Sequence, residues 1–108
     1  MVVDVLLVAT GRVPNVENLG LEAAGVECEK FGVSVNDFFQ TKNENIYAVG
    51  DCLPGYKFTH NSDTHARYVI QNSMLNRQKN KNDIVLPFTT YTDPEIGSVG
   101  LNKTTMKE

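Results

Sequence analysis

The sequence predicts an α/β fold, and three stretches carry that prediction. Residues 2–9, "VVDVLLVA", are almost continuously aliphatic, which is typical of a strand covered on both faces. Residues 45–51, "NIYAVGD", form a second apolar stretch, rich in residues that favour β structure. Residues 61 to about 77 carry apolar side chains at helical spacing. Two buried strands with a helix after the second indicate a layered α/β arrangement.

The predicted helix has a recognisable start and one apolar face. Asn61 and Ser62 are candidate N-caps, and Asp63 suits the positive end of the helix dipole. The apolar face, built at spacings of three and four residues, comprises Ala66, Val69, Ile70, Ser73 and Met74. We expect this face to pack against the rest of the fold.

The remaining segments are predicted from their glycine, proline and polar residues. "TGRVPN" ends the first strand, and "NLGLEAAGVE" offers one or two helical turns closed by Gly25. Residues 33–41 alternate as in a short strand or hairpin. Residues 76–83, "NRQKNKND", form a polar linker, and residues 86–101 form two β-rich pieces bent at Asp93–Pro94.

Composition excludes several classes of function. The chain has 108 residues, enough for one modest domain, and its 41% hydrophobic content is ordinary for a globular protein. A net charge of −3 indicates no nucleic acid partner. The longest apolar stretch is too short to span a membrane, and it lacks the flanks of a secretory signal. Cys28 and Cys52 form neither a disulfide framework nor a C-x-x-C pair, so a cytoplasmic location is the default prediction.

The first local site of interest is Gly50-Asp51, which ends the second predicted strand. One interpretation is a simple turn, because glycine and aspartate are common turn formers. The other is a ligand site, because ligands of open α/β sheets collect beyond the carboxyl ends of strands. Gly50 permits close backbone approach, Asp51 can accept hydrogen bonds from a ligand hydroxyl, and the following helix would point its N-terminus there.

The second site of interest is the turn formed by Thr10, Gly11 and Arg12. Gly11 again permits close approach of the backbone. Arg12 can pair with a phosphate or a carboxylate, or it can merely cap a carbonyl or form a surface ion pair. The residues alone leave these alternatives open.

Five phrases taken in order resemble one family. They are "LLVATGRVPN", "LGLEAAGV", "VNDFFQTKNENIYAVGDC", "FTHNSDTHARYVIQN" and "PFTTYTDPEIGSVGL". Together they resemble the FAD-dependent pyridine nucleotide-disulfide oxidoreductases, in particular the mercuric reductase-like and dihydrolipoamide dehydrogenase-like branches. The resemblance implies a fragment of a Rossmann-like FAD-binding domain, residues 1–80, followed by the first strands of an α+β interface (dimerisation) domain, residues 81–108.

The resemblance also implies roles for individual residues. Asp51 would hydrogen-bond the ribityl and pyrophosphate region of FAD, and Gly50 would allow the close approach. Phe58, Thr59 and His60 would lie against the flavin at the head of the helix, where backbone N–H groups face its N1/C2=O edge. The turn of Thr10, Gly11 and Arg12 would pass close to the FAD.

The sequence also departs from the family pattern. It contains no G-x-G-x-x-G, no C-x-x-x-x-C redox pair and no NAD(P)-binding domain. We therefore expect a piece of a longer enzyme that passes electrons from NAD(P)H through FAD to a disulfide or a metal ion, with no catalytic or metal-binding residue in this segment. The parent is expected to be a homodimer, and the fragment itself can self-associate. The alternative is a non-catalytic flavin-contact or dimerisation module.

The histidines and Cys52 have simpler interpretations. His60 is assigned a positional role, and His65 is expected to be a packed or surface residue. Their five-residue separation does not suit a metal pair on one helix face. Cys52 is expected to act as a small hydrophobic residue after the strand.

Overall fold

The computed structural model describes residues 2–101, and its regular elements are few and short. Within this range, two antiparallel two-stranded sheets pair β1 (Cys28–Glu29) with β2 (Gly32–Val33), and β3 (Pro87–Thr90) with β4 (Ile96–Val99). One long helix, α1, spans Thr59–Met74. Short 3-10 turns occupy Gly50–Cys52 and Lys81–Asp83. The described part of the chain is thus a mixed helix and strand structure without parallel strand pairs.

The predicted helix is present, but its caps differ from the prediction. Helix α1 begins at Thr59, after Phe58 in an extended conformation, and the structure shows no side-chain cap at this end. The proposed caps lie inside the helix: the Asn61 side chain donates to the Tyr56 carbonyl at 3.1 Å, and Ser62 Oγ lies 3.3 Å from the Phe58 carbonyl. The helix ends before Asn76, whose φ of 48° places it in the left-handed region that often terminates helices.

The buried face of α1 is rotated from the predicted apolar face. Its most buried side chains are Asn61 and His65, the latter 9% exposed. Ile70 and Met74, which belong to the predicted face, are 54% and 77% exposed. Helical spacing therefore located the helix and part of its contact side, since Val69 packs against the core. It did not predict burial of Asn61 and His65, because polar residues that find hydrogen-bond partners can occupy buried positions.

A small core surrounds Phe39, which is 1% exposed. Its buried neighbours are Val26, Val33 and Leu53. The Phe39 ring lies 4.7 Å from the His65 ring, so α1 packs onto this core from one side. The half-buried residues around it include Ile46, Tyr47 and Cys52, in keeping with the expectation for Cys52.

The predicted helical turns before Gly25 are confirmed as hydrogen-bonded turns. The N–H of Val26 donates to the carbonyl of Leu21 at 2.8 Å, and the N–H of Gly25 donates to Glu22 at 3.0 Å. Gly25 has a φ of 69°. This pair of bonds with a left-handed glycine is the Schellman arrangement that ends helical turns.

The prediction of a doubly covered strand at residues 2–9 is wrong for this structure. The segment pairs with no strand among the described residues, and its side chains are exposed, with Val5 at 83% and Leu7 at 86%. A strand of this composition needs neighbours on both edges and layers on both faces.

The strand predicted at residues 45–51 is reduced to a single bridge. Tyr47 pairs with Gln40 in antiparallel fashion, and the N–H of Ala48 donates to the carbonyl of Phe39 at 3.1 Å. The alternation predicted for residues 33–41 correspondingly yields β2 and this bridge. The segment still buries its apolar side chains against the core, but it lacks the neighbours that would extend it into a ladder.

The two β-rich pieces at the C-terminal end form the β3–β4 hairpin, so that prediction is confirmed. Phe88 lies opposite Ser98, and Thr90 lies opposite Ile96. The connection contains Asp93–Pro94, as predicted, with a cis peptide bond. Any element expected to begin after Leu101 lies outside the described residues.

The chain is extended for its size. Its radius of gyration is 17.1 Å, whereas a compact domain of this length has a value of about 13 Å. Its accessible surface is 9029 Å², whereas a folded monomer of this mass exposes about 6000 Å². Across residues 2–101, no helix combines the length and apolar character needed to cross a bilayer.

Candidate functional site

The Gly50-Asp51 segment is a tight turn held against α1. The 3-10 turn places Gly50 at a φ of 76°, and its backbone N–H donates to Nδ1 of His65 at 3.3 Å. A Cβ at Gly50 would lie 2.8 Å from Ser62 Oγ. The close approach predicted for Gly50 is therefore made to the first turn of α1 in this structure, and a turn of this kind is compatible with both interpretations of the segment.

Asp51 directs its carboxylate group toward the start of the helix. Its Oδ1 lies 3.4 Å from Ser62 Oγ, and the side chain is exposed. Among residues 2–101, Ser62 is the one hydrogen-bond partner of this carboxylate. An exposed carboxylate beside a helix N-terminus can accept further hydrogen bonds from a hydroxyl-bearing ligand.

Lys57 ties the Asp51 turn to the head of α1. Its ammonium group donates to the backbone carbonyls of Asp51 and Leu53, each at 2.8 Å. Its own carbonyl accepts from a guanidinium nitrogen of Arg12 at 3.5 Å. One residue thus connects the two segments that the sequence singled out.

The turn of Thr10, Gly11 and Arg12 is exposed throughout. Gly11 has a φ of 118°, and nothing lies within 4 Å of a Cβ built there, so the backbone conformation rather than crowding explains the glycine. Of the alternatives for Arg12, the structure shows the carbonyl cap. Thr10 forms no hydrogen bond through its side chain among the described residues.

The head of α1 is surrounded by stacked aromatic rings. The Phe58 ring lies 5.8 Å from Tyr56, 5.8 Å from Phe88 and 5.4 Å from the His60 ring. His60 Nε2 is 2.7 Å from the carbonyl of Pro87. His60 therefore connects the helix to the β3–β4 hairpin, while Thr59 is exposed at the first helical position.

Two residues of this region were missed or underestimated from sequence. Burial lowers the pKa of His65, and its Nδ1 accepts a hydrogen bond from Gly50, so the neutral imidazole is favoured. The sequence predicted only that His65 would be packed or exposed. Lys57 gave no signal, because a single lysine in a loop is usually solvated and its two carbonyl partners become neighbours only after folding.

Other surface features lie apart from these residues. An open groove of about 1010 Å³ is lined by acidic side chains that include Glu17, Glu22, Glu27 and Glu29. None of the predicted site residues lines it. Cys28 is exposed, and Cys52 Sγ lies 3.2 Å from the Val49 carbonyl. Across the described range, no three His, Cys, Asp or Glu side chains cluster as metal ligands would.

The arrangement is chemically suited to a large ligand with hydroxyl and electron-rich groups. The carboxylate of Asp51 can accept from a hydroxyl, and the first N–H groups of α1 lack a side-chain cap and can donate to a carbonyl or an anion. The Arg12 guanidinium, which donates to the Lys57 carbonyl, adds positive charge near the same region. These features fit FAD, the cofactor that the family resemblance implies, as far as hydrogen-bond type and charge are concerned.

Comparisons with known proteins agree with the sequence resemblance. The family described as pyridine nucleotide-disulphide oxidoreductase matches residues 1–66. A mercuric reductase of Lysinibacillus sphaericus is 42% identical over 97% of this chain and 19% of its own length. A mitochondrial dihydrolipoyl dehydrogenase of Mus musculus is 38% identical over 97% of this chain and 21% of its own length.

A solved structure shares the fold. The HOCl-induced flavoprotein disulfide reductase RclA of Escherichia coli, in its Cu(II) complex, superposes with a TM-score of 0.81 at 26% identity, covering 92% of this chain and 23% of that chain. The chain thus spans about a fifth of the length of the curated relatives it matches.

Proposed function

The chain belongs to the pyridine nucleotide-disulphide oxidoreductase family, and from that premise we propose that it forms the flavin-cradling part of a longer NAD(P)H-dependent reductase. Residues 1–80 would complete an FAD-binding domain, and residues 81–108 would begin the domain that joins two protomers. When bound, FAD supplies the electron transfer between a nicotinamide and the final acceptor. This segment contributes binding and positioning and holds no reacting side chain.

The observation that carries the proposal is the position of Asp51 beside the uncapped start of α1. The carboxylate lies within 3.4 Å of Ser62, in the first turn of the helix. A hydroxyl-bearing chain can therefore be held by Asp51 while an electron-rich ring edge meets the helix N–H groups. The family resemblance implies the same pairing of Asp51 with the head of α1.

The exposed apolar surface supports the idea of further polypeptide. Residues 2–8 carry exposed aliphatic side chains, and their backbone pairs with no strand among residues 2–101. In a larger FAD-binding domain, this segment would become the doubly covered strand that its composition predicts. We accordingly expect the 108-residue chain alone to bind FAD poorly, because the glycine-rich phosphate-binding turn is not in its sequence.

The substrate class is proposed from the relatives' names. Those names point to mercuric ion, to a dihydrolipoyl group and to a disulfide, and one structure holds Cu(II). We propose a disulfide or a metal ion as the acceptor, with a homodimeric enzyme as the working unit. Steady-state oxidation of NADH and of NADPH by the full-length polypeptide, with lipoamide, Hg(II) and Cu(II) as acceptors, distinguishes these substrates.

The decisive experiment for the cofactor site is substitution of Asp51 in the full-length polypeptide. Asp51→Ala should raise the dissociation constant for FAD by about tenfold or more, because a charged hydrogen-bond acceptor is lost. The purified variant should then be mostly free of flavin. Asp83→Ala, which removes one exposed carboxylate in the Lys81–Asp83 turn, is the matched control and should keep its flavin. Wild-type flavin content in Asp51→Ala would contradict the assignment.

A further inference from the structure

We propose that Lys57 is a positioning residue for the cofactor site: its ammonium group holds the Asp51 turn in the conformation that presents the carboxylate. The inference deepens the proposed function and depends on FAD binding at Asp51. It rests on the two carbonyl contacts of Lys57 and on the shortage of other bonds in the same loop.

The loop between the Asp51 turn and α1 has little backbone support of its own. It contains Pro54, which has no N–H to donate, and Gly55, whose φ is 102°. Among residues 2–101, the backbone groups of residues 54–57 form no hydrogen bond with other backbone groups in turns or loops. Side chains supply the bonds to this loop, namely Lys57 to the Asp51 and Leu53 carbonyls, Asn61 to the Tyr56 carbonyl and Arg12 to the Lys57 carbonyl.

Lys57 connects the two ends of this loop, the Asp51 turn and the start of α1. The ammonium group reaches back to the Asp51 and Leu53 carbonyls at 2.8 Å, two charge-assisted hydrogen bonds within the usual range. The same residue lies directly before Phe58, the N-cap position of α1. Lys57 therefore helps to fix the distance between the Asp51 carboxylate and the helix N-terminus, together with the Gly50–His65 bond and the Asp51–Ser62 contact.

The hydrogen bond from Lys57 to the Leu53 carbonyl is partly shielded from solvent. Lys57 is half-buried, and its bond to the carbonyl of Leu53, a core residue that is 5% exposed, is partly buried, whereas its bond to the Asp51 carbonyl is exposed. A hydrogen bond from a charged donor to a carbonyl in such a place contributes more than a solvated surface contact. Removing the ammonium group would release both carbonyls and loosen the turn, which would keep its Gly50–His65 bond and its Asp51–Ser62 contact.

The test uses the full-length polypeptide in its FAD-free form, with FAD affinity measured by fluorescence titration. Lys57→Met keeps the length of the side chain and removes its donors. We expect the dissociation constant for FAD to rise about tenfold, since two charge-assisted bonds that orient Asp51 are lost. Lys57→Arg, which keeps a cationic donor, should stay within about threefold of wild type. Lys30→Met, at an exposed lysine over the Phe31 ring, controls for loss of one positive charge.

A double-mutant cycle separates positioning from a purely structural role. If Lys57 acts through Asp51, Lys57→Met should change FAD affinity by less than about threefold in the Asp51→Ala background. An undiminished tenfold loss in that background overturns the inference, as does wild-type affinity in Lys57→Met. If Lys57→Met does not fold, Lys57→Gln, which retains an amide donor, enters the same cycle with an intermediate loss expected.

Different results would refute the proposed FAD site and the proposed role of Lys57. A wild-type full-length polypeptide that binds no FAD refutes the proposed function and, with it, the role of Lys57. A wild type that binds FAD, loses it with Asp51→Ala and keeps it with Lys57→Met refutes only the role of Lys57.

Discussion

The imidazole of His65 accepts a hydrogen bond from the backbone N–H of Gly50, with Nδ1 and the nitrogen 3.3 Å apart. The bond crosses 15 residues of sequence and joins His65, the seventh residue of α1, to the turn that carries Asp51. His65 also packs against Phe39, with 4.7 Å between ring centroids. One side chain thus links the core, the helix and the candidate site.

Stability should depend on pH through His65. Burial lowers its pKa in the folded chain below the ordinary value of 6.5. Between the two values the unfolded chain binds the proton more readily, so the free energy of unfolding falls as pH drops below 6.5 and is fully retained above it. Urea unfolding followed by circular dichroism at pH 5 and pH 7.5, chosen on either side of that value, measures the effect. In His65→Gln, the difference between the two pH values should shrink; an equal difference would assign it to other groups.

Gly50→Ala should destabilise the chain for two separable reasons. The new Cβ would lie 2.8 Å from Ser62 Oγ, and the φ of 76° is unfavourable for alanine. We expect a loss of more than about 1 kcal/mol in the free energy of unfolding. Gly20→Ala, at a φ of 68° with nothing within 4 Å, carries the backbone cost alone. Equal losses in the free energy of unfolding of the two variants would show that the Cβ contact with Ser62 in α1 costs nothing.

Phe39→Ala should remove most of the stability of the core. The ring is 1% exposed and contacts His65 and Tyr68. Truncation of a buried phenylalanine costs about 3–5 kcal/mol, a large share of the stability of a small domain. Phe31→Ala, at a ring that is 64% exposed, should change the free energy of unfolding by no more than about 0.5 kcal/mol. Similar urea midpoints for the two variants would contradict the assigned core.

The 108-residue chain alone should self-associate through residues 2–8. Among residues 2–101 this segment pairs with no strand, and its aliphatic side chains are exposed, as at a sheet edge that pairs with other chains. Sedimentation velocity should show concentration-dependent dimers or larger species. Leu7→Lys should shift the chain toward monomer, whereas Leu101→Lys, at another exposed leucine, should not. A monomer at all concentrations would show that the segment does not mediate association.

The sequence by itself determined the local elements that depend on short-range chemistry. Gly25 ends a helical turn, α1 lies within two or three residues of its predicted bounds, and the β3–β4 hairpin bends at Asp93–Pro94 as predicted. The family was likewise evident from ordered phrases and is confirmed by the comparisons. These features could be predicted because glycine, proline and periodic apolar residues act on their immediate neighbours.

Only the tertiary structure decided which side chains and backbone groups form contacts between distant parts of the sequence. Helical periodicity could not show that His65 rather than Ile70 faces the core, since a hydrogen bond to Gly50 makes burial of an imidazole acceptable. It could not place Lys57 on two carbonyls, which converge only when the loop closes. Residues 2–9 show the converse: their composition predicts a buried strand, yet pairing and cover must come from other segments, and the 100 residues described here do not supply them. Strand formation is a non-local property, so composition alone cannot create its partners.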